Sequence, residues 1–374
     1  MPAVTYTLLV NGSPMPTEVL ATIQQLQVED HALMPDMLRL RSLVSVTENG
    51  SGWTVLDDNT FPRLTNLEIR LQIGNQAPKP LINCYVIESS VTFSNTPGKS
   101  ILDVVAMDPT VLMGLDEKVK AWPNMTHSDI ATSIFGDYGF TPDIDDTTFN
   151  YEENDTTVMQ RGTDIRFLTQ LAKRNGFECY VDLNDATGAV EGHFHKPRLD
   201  DTPQGVLSIN SGDATNVNSF QARFDMLRPV QATASSLDVE SQDNQSGQAD
   251  SASLRTLGKG AALDPNKPRT VLISQTGLIK SAELQNYAQA VVDRSAFAIV
   301  ADGELNTSAY GDILRAKRAV SVRGAGQQYS GLYYIDRVLH IITGDGYVQK
   351  FSARRNALGL SGQETFTQDN ALPN

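Results

Sequence analysis

The chain has little cysteine: Cys84 and Cys179 are its two thiols in 374 residues. They belong to no CxxC pair, which excludes a disulfide scaffold, and both sit in apolar strand-like stretches where a buried, reduced thiol is expected. Basic residues are also short, with 30 Lys and Arg against 44 Asp and Glu and a net charge of -14. Phosphate contacts need clustered cations, so nucleic-acid recognition is not expected. No apolar run approaches the ~20 residues that cross a bilayer, so no membrane insertion by the chain itself is expected. Met1-Pro2-Ala3 opens no charged, apolar leader, and folding in the cytoplasm is the expectation. Of the five histidines, His31, His127 and His340 are scattered and join no cluster. Gly324-Ala325-Gly326 and Gly344-Asp345-Gly346 lack the Lys-Ser/Thr of a phosphate loop and read as hairpin turns.

What is present is mostly strand. Residues 1–115 are expected to form a closed or nearly closed antiparallel barrel. Val4–Val10 runs into the turn Asn11-Gly12, and strands are predicted at 19–28, 36–41, 66–74, 85–93 and 100–107. The cleanest alternation puts Leu67, Ile69, Leu71 and Ile73 on one face. Residues 116–200 read as a small α+β domain. A first helix is capped by Thr126 or Ser128 and buries Ile130, Ala131, Ile134 and Phe135. A second is capped by Thr163, buries Ile165, Leu168, Leu171 and Ala172, and ends at Asn175-Gly176. A hairpin over 177–183 and 188–196 comes next.

Residues 201–357 return to β structure, with strands predicted at 217–224, 319–322, 332–342 and 347–354. A third helix is capped by Ser281 and carries Leu284, Tyr287, Ala288 and Val291 on its buried face. Between Ser236 and Ser253 lie five Ser, three Gln and four acids with no aromatic or basic residue, so 236–268 reads as a mobile arm. Residues 358–374 read as a polar tail. The two β regions share a loose order: Ile73-Gly74, Ile87-Glu88, Val91, Gly98 and Ala106 against Val322-Arg323-Gly324, Ile335-Asp336, Val338, Gly346 and Ala353.

Candidate chemistry is sparse. Glu191-Gly192-His193-Phe194-His195 puts two histidines on one strand face, a usable ligand spacing. No third ligand lies nearby beyond Glu191, so both read as ordinary exposed residues and no metal is assigned. The six acids between Asp143 and Asp155 could supply two carboxylates for peptidoglycan hydrolysis, which is the alternative function. Nothing supplies an apolar pocket to raise one of them, and a solvated loop is expected. Between Ile313 and Asn356, eight Lys or Arg stand against two acids, which reads as solvated strand edges or as a basic surface toward an acidic neighbour. Arg161 and Asp164 are read as orienting residues. No catalytic residue, cofactor or metal is assigned, and no enzyme is expected.

The order Gln160-Arg161-x-x-Asp164-x-x-Phe167-Leu168-x-x-Leu171-Ala172-x-x-x-Gly176-Phe177 resembles the phage late control D family. Ser128-Asp129-Ile130-Ala131 with Tyr138-Gly139, and Tyr329 to His340 followed by Gly346-Tyr347, Phe351 and Arg354-Arg355-Asn356, extend the likeness. The resemblance implies a baseplate hub of a contractile phage tail or injection system, mainly β, with two tube-like barrels flanking the α+β domain. It also implies a homotrimer forming a pseudo-sixfold ring, which adapts a hexameric tail tube to a trimeric spike carried on another chain, beside other baseplate proteins. The expected location is the baseplate of a virion tail or injection particle, after assembly in the cytoplasm.

Overall fold

The computed structural model describes residues 4–47, 50–57, 60–149, 151–152, 157–184, 187–237, 243–263, 267–274, 278, 280–362, 364 and 366. The fold is mainly β, with large antiparallel sheets. One 13-stranded sheet runs through both β regions. From one end its order is Val217–Phe224, Ile299–Leu305, Gly346–Arg355, Gly331–Thr343, Ile23–His31, Met37–Val44, Ser100–Met107, Lys79–Thr92, Asn66–Ile73 and Val4–Val10, closing with Ser13–Pro14, while Ala319–Arg323 and then Val206–Ser208 branch from Gly331–Thr343.

In the first β region the inward positions of the neighbouring strands share one cluster, including Leu8, Leu26, Leu40, Ile69, Cys84 and Val104. A sheet whose strands all feed one core must curl around it, and register shifts at Ile69/Arg70 and Val86/Glu88 supply local bends. The strand expected at 19–28 begins later, at Ile23, because Pro16 starts a short helical turn, Thr17–Leu20. In the second region Ala301, Val320, Tyr333, Ile335 and Phe351 form a separate core.

The halves are joined by backbone. Gly331–Thr343 pairs antiparallel with Ile23–His31, from Arg337 opposite His31 to Thr343 opposite Gln25. Period-two alternation specifies which face is buried but says nothing about which distant strand lies alongside, so this seam was not legible in the sequence.

The middle segment has its own core, with Trp122, Phe135, Phe167, Leu168 and Phe194. Helix His127–Asp137 is capped by Thr126, whose hydroxyl accepts from the Asp129 amide while the Asp129 carboxylate accepts from the Thr126 amide. Helix Asp164–Asn175 departs from expectation at its start: Thr163 makes no side-chain cap, and Asp164 is buried. It ends as expected at Gly176, at φ 71°, where an added Cβ would sit 3.2 Å from Ala290.

The reading of 236–268 as a mobile arm is corrected over its described residues. Asn244–Ala249 is a strand paired with Val230–Leu237, and it packs on helix Ser281–Ala296 so closely that a Cβ on Gly247 would overlap the Gln285 amide nitrogen. Polar bonds hold the residues beyond that strand. The Asp293 carboxylate accepts from the Ser253 amide and hydroxyl, and Asn356 accepts from the Leu257 amide and donates to the Arg255 carbonyl. The fully buried Arg355 donates to the carbonyls of Leu257 and Ser330. Low hydrophobicity hid this order because side-chain-to-backbone bonds add to a few buried apolar residues such as Ala249 and Leu257. Residues 238–242 and 264–266 of that arm lie outside the described residues. Helix Ser281–Ala296 takes Ser281 as its first residue instead of its cap, with no side-chain capping bond at Lys280, and buries Leu284, Ala288 and Val292, whereas Val291 is only half-buried.

Candidate functional site

The most concentrated side-chain chemistry lies on a three-stranded sheet of the middle segment. The hairpin Glu178–Leu183 and Val190–His195 forms as expected, and Thr141–Ile144 adds alongside it in parallel. That third strand, unanticipated because 143–155 read as a solvated run, pairs Asp143 with His193. Tyr180 pairs with His193 from the other side, so Asp143, His193 and Tyr180 form a row across three strands, with His195 two residues on.

His193 Nδ1 lies 3.1 Å from Asp143 Oδ2 and 3.2 Å from His195 Nε2. His195 Nε2 is 3.5 Å from Asp143 Oδ2 and 3.4 Å from the Tyr180 hydroxyl. His195 Nδ1 donates to the Lys196 carbonyl at 2.7 Å, which fixes its tautomer with the lone pair on Nε2. Arg198 bridges Asp143 and Asp145 at 3.0 and 2.7 Å. Burial pushes His195 down to about 4. The hydrogen bond from His193 holds Asp143 well below the usual carboxylate range against the opposing effect of burial.

These positions revise two expectations. His195 is buried rather than exposed, and the third potential ligand comes from Asp143, some fifty residues upstream, instead of from Glu191 alone. The Asp143–Asp155 run also loses its hydrolase geometry: Asp143 and Asp145 are clamped by Arg198, and a depressed Asp143 is the reverse of a general acid. Glu153 and Asp155 lie outside the described residues.

A second concentration of charge sits where the segments meet. The Lys317 ammonium, 3% exposed, lies 2.8 Å from Asp30 and 2.7 Å from Asp36, with Asp182 at 3.8 Å. Lys317 has φ 63°, uncommon for a residue with a Cβ, and the position aims its stem at the two carboxylates. Asp36 also accepts from the His31 amide, while its own amide donates to Asp108. Burial opposes the charge on Lys317, but Asp30 and Asp36 hold its pKa well above the ordinary value. Burial likewise pushes Asp108 up to about 6. A parallel junction ties the middle segment to the second β region: Arg354 meets Glu178 at 2.6 Å, and the Tyr334 hydroxyl donates to Glu178. The Tyr151 hydroxyl donates to Glu283 at 2.6 Å, linking the middle segment to helix Ser281–Ala296.

The basic surface expected over 313–356 is thereby corrected. Arg315, Lys317, Arg354 and Arg355 are buried, half of the eight bases there, and they serve internal junctions. Asp164 holds Lys118, Tyr138 and Gln160 inside the middle segment. Arg161 lies exposed on the strand Val158–Gly162. Gly344 to Gly346 is the expected hairpin turn, whereas Gly326 begins a four-residue helix, Gly326–Tyr329. Cys84 and Cys179 are free thiols. No helix among the described residues is long and apolar enough to cross a membrane.

Known proteins share this fold. The 43 kDa tail protein of prophage MuSo2 from Shewanella oneidensis superposes with TM-score 0.65 at 16% identity, covering 95% of this chain and 100% of that one. A tail protein from Neisseria meningitidis MC58 gives 0.64 at 11% identity, covering 95% and 97%. An E. coli type VI secretion component, described as structurally similar to the T4 bacteriophage tail proteins gp27 and gp5, gives 0.58 at 12% identity, covering 93% and 76%. No curated protein matches by sequence. Residues 1–344 match the model of the Alg8 N-terminal domain family.

Proposed function

The chain belongs to the Alg8 N-terminal domain family, and from the fold it shares with tail proteins we propose that it is a non-catalytic tail component, the baseplate hub of a contractile phage tail or injection system. The observation that carries this reading is the fold shared over nearly the whole length with tail proteins of the MuSo2 and Neisseria type. The motifs resembling late control D hubs agree with it. Three copies would close a ring that joins a hexameric tube to a trimeric spike supplied by another polypeptide. Within each copy, residues 1–115 and 201–357 would be the two tube-like units and 116–200 the unit between them.

Two features support a ring. The large sheet has unlike ends: Val217–Phe224 has no strand on its outer side among the described residues, and Val4–Val10 is covered there only by Ser13–Pro14. Unlike ends suit head-to-tail contacts, which close into rings and cover edges that would otherwise invite aggregation. Met226 and Leu227, just beyond the first edge, are 73% and 74% exposed, and Leu272 is 80% exposed. Apolar side chains left outside in this way suit a subunit or partner contact.

Electron microscopy and mass photometry of the full chain, alone and with tube and spike proteins, test the proposal. Threefold rings are expected, and Met226→Asp with Leu227→Asp should disperse them without unfolding the chain. Monomers under every condition would overturn the hub reading. Digestion of purified peptidoglycan by the chain would overturn the non-catalytic part.

A further inference from the structure

We propose that Asp143, His193 and His195 form a binding site for one zinc ion per chain. The three converging atoms, His193 Nδ1, His195 Nε2 and Asp143 Oδ2, stand 3.1, 3.2 and 3.5 Å apart. A tetrahedral centre with bonds of about 2.0–2.1 Å has its donor atoms about 3.3–3.4 Å from one another. The triangle therefore already has the size of one face of a zinc tetrahedron.

The His195 ring nitrogen that points away from this triangle gives an independent indication. His195 Nδ1 donates to the Lys196 carbonyl, and His193 Nε2 faces Glu191 Oε2 at 3.8 Å. Metal-binding histidines place their other ring nitrogen on a carbonyl or carboxylate, which turns the lone pair toward the ion. His195 is arranged that way, an orientation that a purely structural His–Asp contact would not require, whereas His193 Nδ1 donates to Asp143 and would release its proton on binding the ion. Asp143 can serve the ion and its neighbour together, since Arg198 engages Oδ1 while Oδ2 faces the histidines. Two imidazoles and one carboxylate suit zinc over magnesium or calcium, which favour sets made of oxygen.

Access and anchoring are both present. The Asp143 side chain is 44% exposed, so the carboxylate edge of the cluster reaches solvent, whereas His195 is 1% exposed and held in the sheet. An ion here would clip Thr141–Ile144 to the end of Val190–His195, fixing the chain that leads into the second β region. Its role would be structural, and the ring proposal does not depend on it.

The test uses the untagged full chain, titrated calorimetrically with Zn2+ and separately with Mg2+, with thermal unfolding followed in each. Stoichiometric Zn2+ binding, a rise in Tm reversed by a chelator, and no Mg2+ response are expected. Asp143→Asn and His193→Gln, both at part-exposed positions and checked for folding by circular dichroism, should each weaken Zn2+ at least about tenfold. Absence of stoichiometric Zn2+ binding, or Zn2+ affinity unchanged in both variants, would overturn the site and leave a hydrogen-bonded cluster only.

Discussion

Lys317→Met keeps most of the side-chain stem and deletes the ammonium at the junction of the two β regions. Two carboxylates, at 2.8 and 2.7 Å, then lose their common partner at a position 3% exposed. Breaking a buried ion pair from one side costs about 3–5 kcal/mol. The lower half of that range is expected, because Asp36, pushed up by burial and by its acidic neighbours, can take a proton in place of the ion pair. Asp30 distinguishes this account from simple loss of packing. Burial favours its neutral form, yet Lys317 and Arg315 hold it at about 2 instead of 3.8, which corresponds to about 2–3 kcal/mol.

The pH dependence follows from that sign. In the native chain Asp30 has a folded pKa below its unfolded one, so its contribution is present above about 4 and is lost as pH falls toward about 2. In Lys317→Met, burial dominates and the folded pKa moves above the unfolded one. The variant should therefore recover part of its lost stability as pH falls from about 7 to about 4. Thermal unfolding across that range, with hydrogen exchange read on Ile23–His31 and Gly331–Thr343, measures both effects. Adding Asp30→Asn should restore more than half of the loss at neutral pH. A variant as stable as the parent, or one whose deficit is the same at every pH, would refute this reasoning.

Three further outcomes are expected. Gly247→Ala drives a methyl into the backbone of helix Ser281–Ala296 and should lower stability by about 1–3 kcal/mol, with exchange rising first in Asn244–Ala249; unchanged protection there would show that strand to be loosely held. His340, which burial pushes down to about 3, contributes stability that is full above 6.5 and falls as pH drops toward about 3, so His340→Leu should flatten the acid limb of the stability curve. Arg354→Met leaves Glu178 buried with no cation and only the Tyr334 hydroxyl donating to it, and should cost about 3–5 kcal/mol in chemical denaturation; a loss below about 1 kcal/mol would show the junction to be slack.

Local features of the fold were readable where one face of an element carries the information. Leu67, Ile69, Leu71 and Ile73 alternate because one side of their strand is buried, and Thr126 with Asp129 announces a helix start. What escaped depends on residues far apart in sequence. The pairing of Val338 with Asp30, and of Asp143 with His193, leaves no periodic trace in either segment. Polar stretches misled for a different reason. Ser253, Arg255 and Leu257 are ordered through Asp293, Arg355 and Asn356, whose burial composition alone does not reveal. The cluster of bases near the carboxyl end suggested an outer surface because charge was counted without its partners. Asp30, Asp36 and Glu178, which neutralise Lys317 and Arg354, lie in other segments.

The strand pairing from Arg337–His31 to Thr343–Gln25 has a mechanical consequence. Sliding one β region along the strand direction past the other would load those backbone hydrogen bonds together, in shear, instead of opening them one at a time. A hinge at this seam is therefore a poor expectation, and torque applied to one half should pass to the other with little slack. If a contracting sheath drives a column through such a ring, the chain would act as a stiff coupling, and compliance would have to come from the contacts between neighbouring copies.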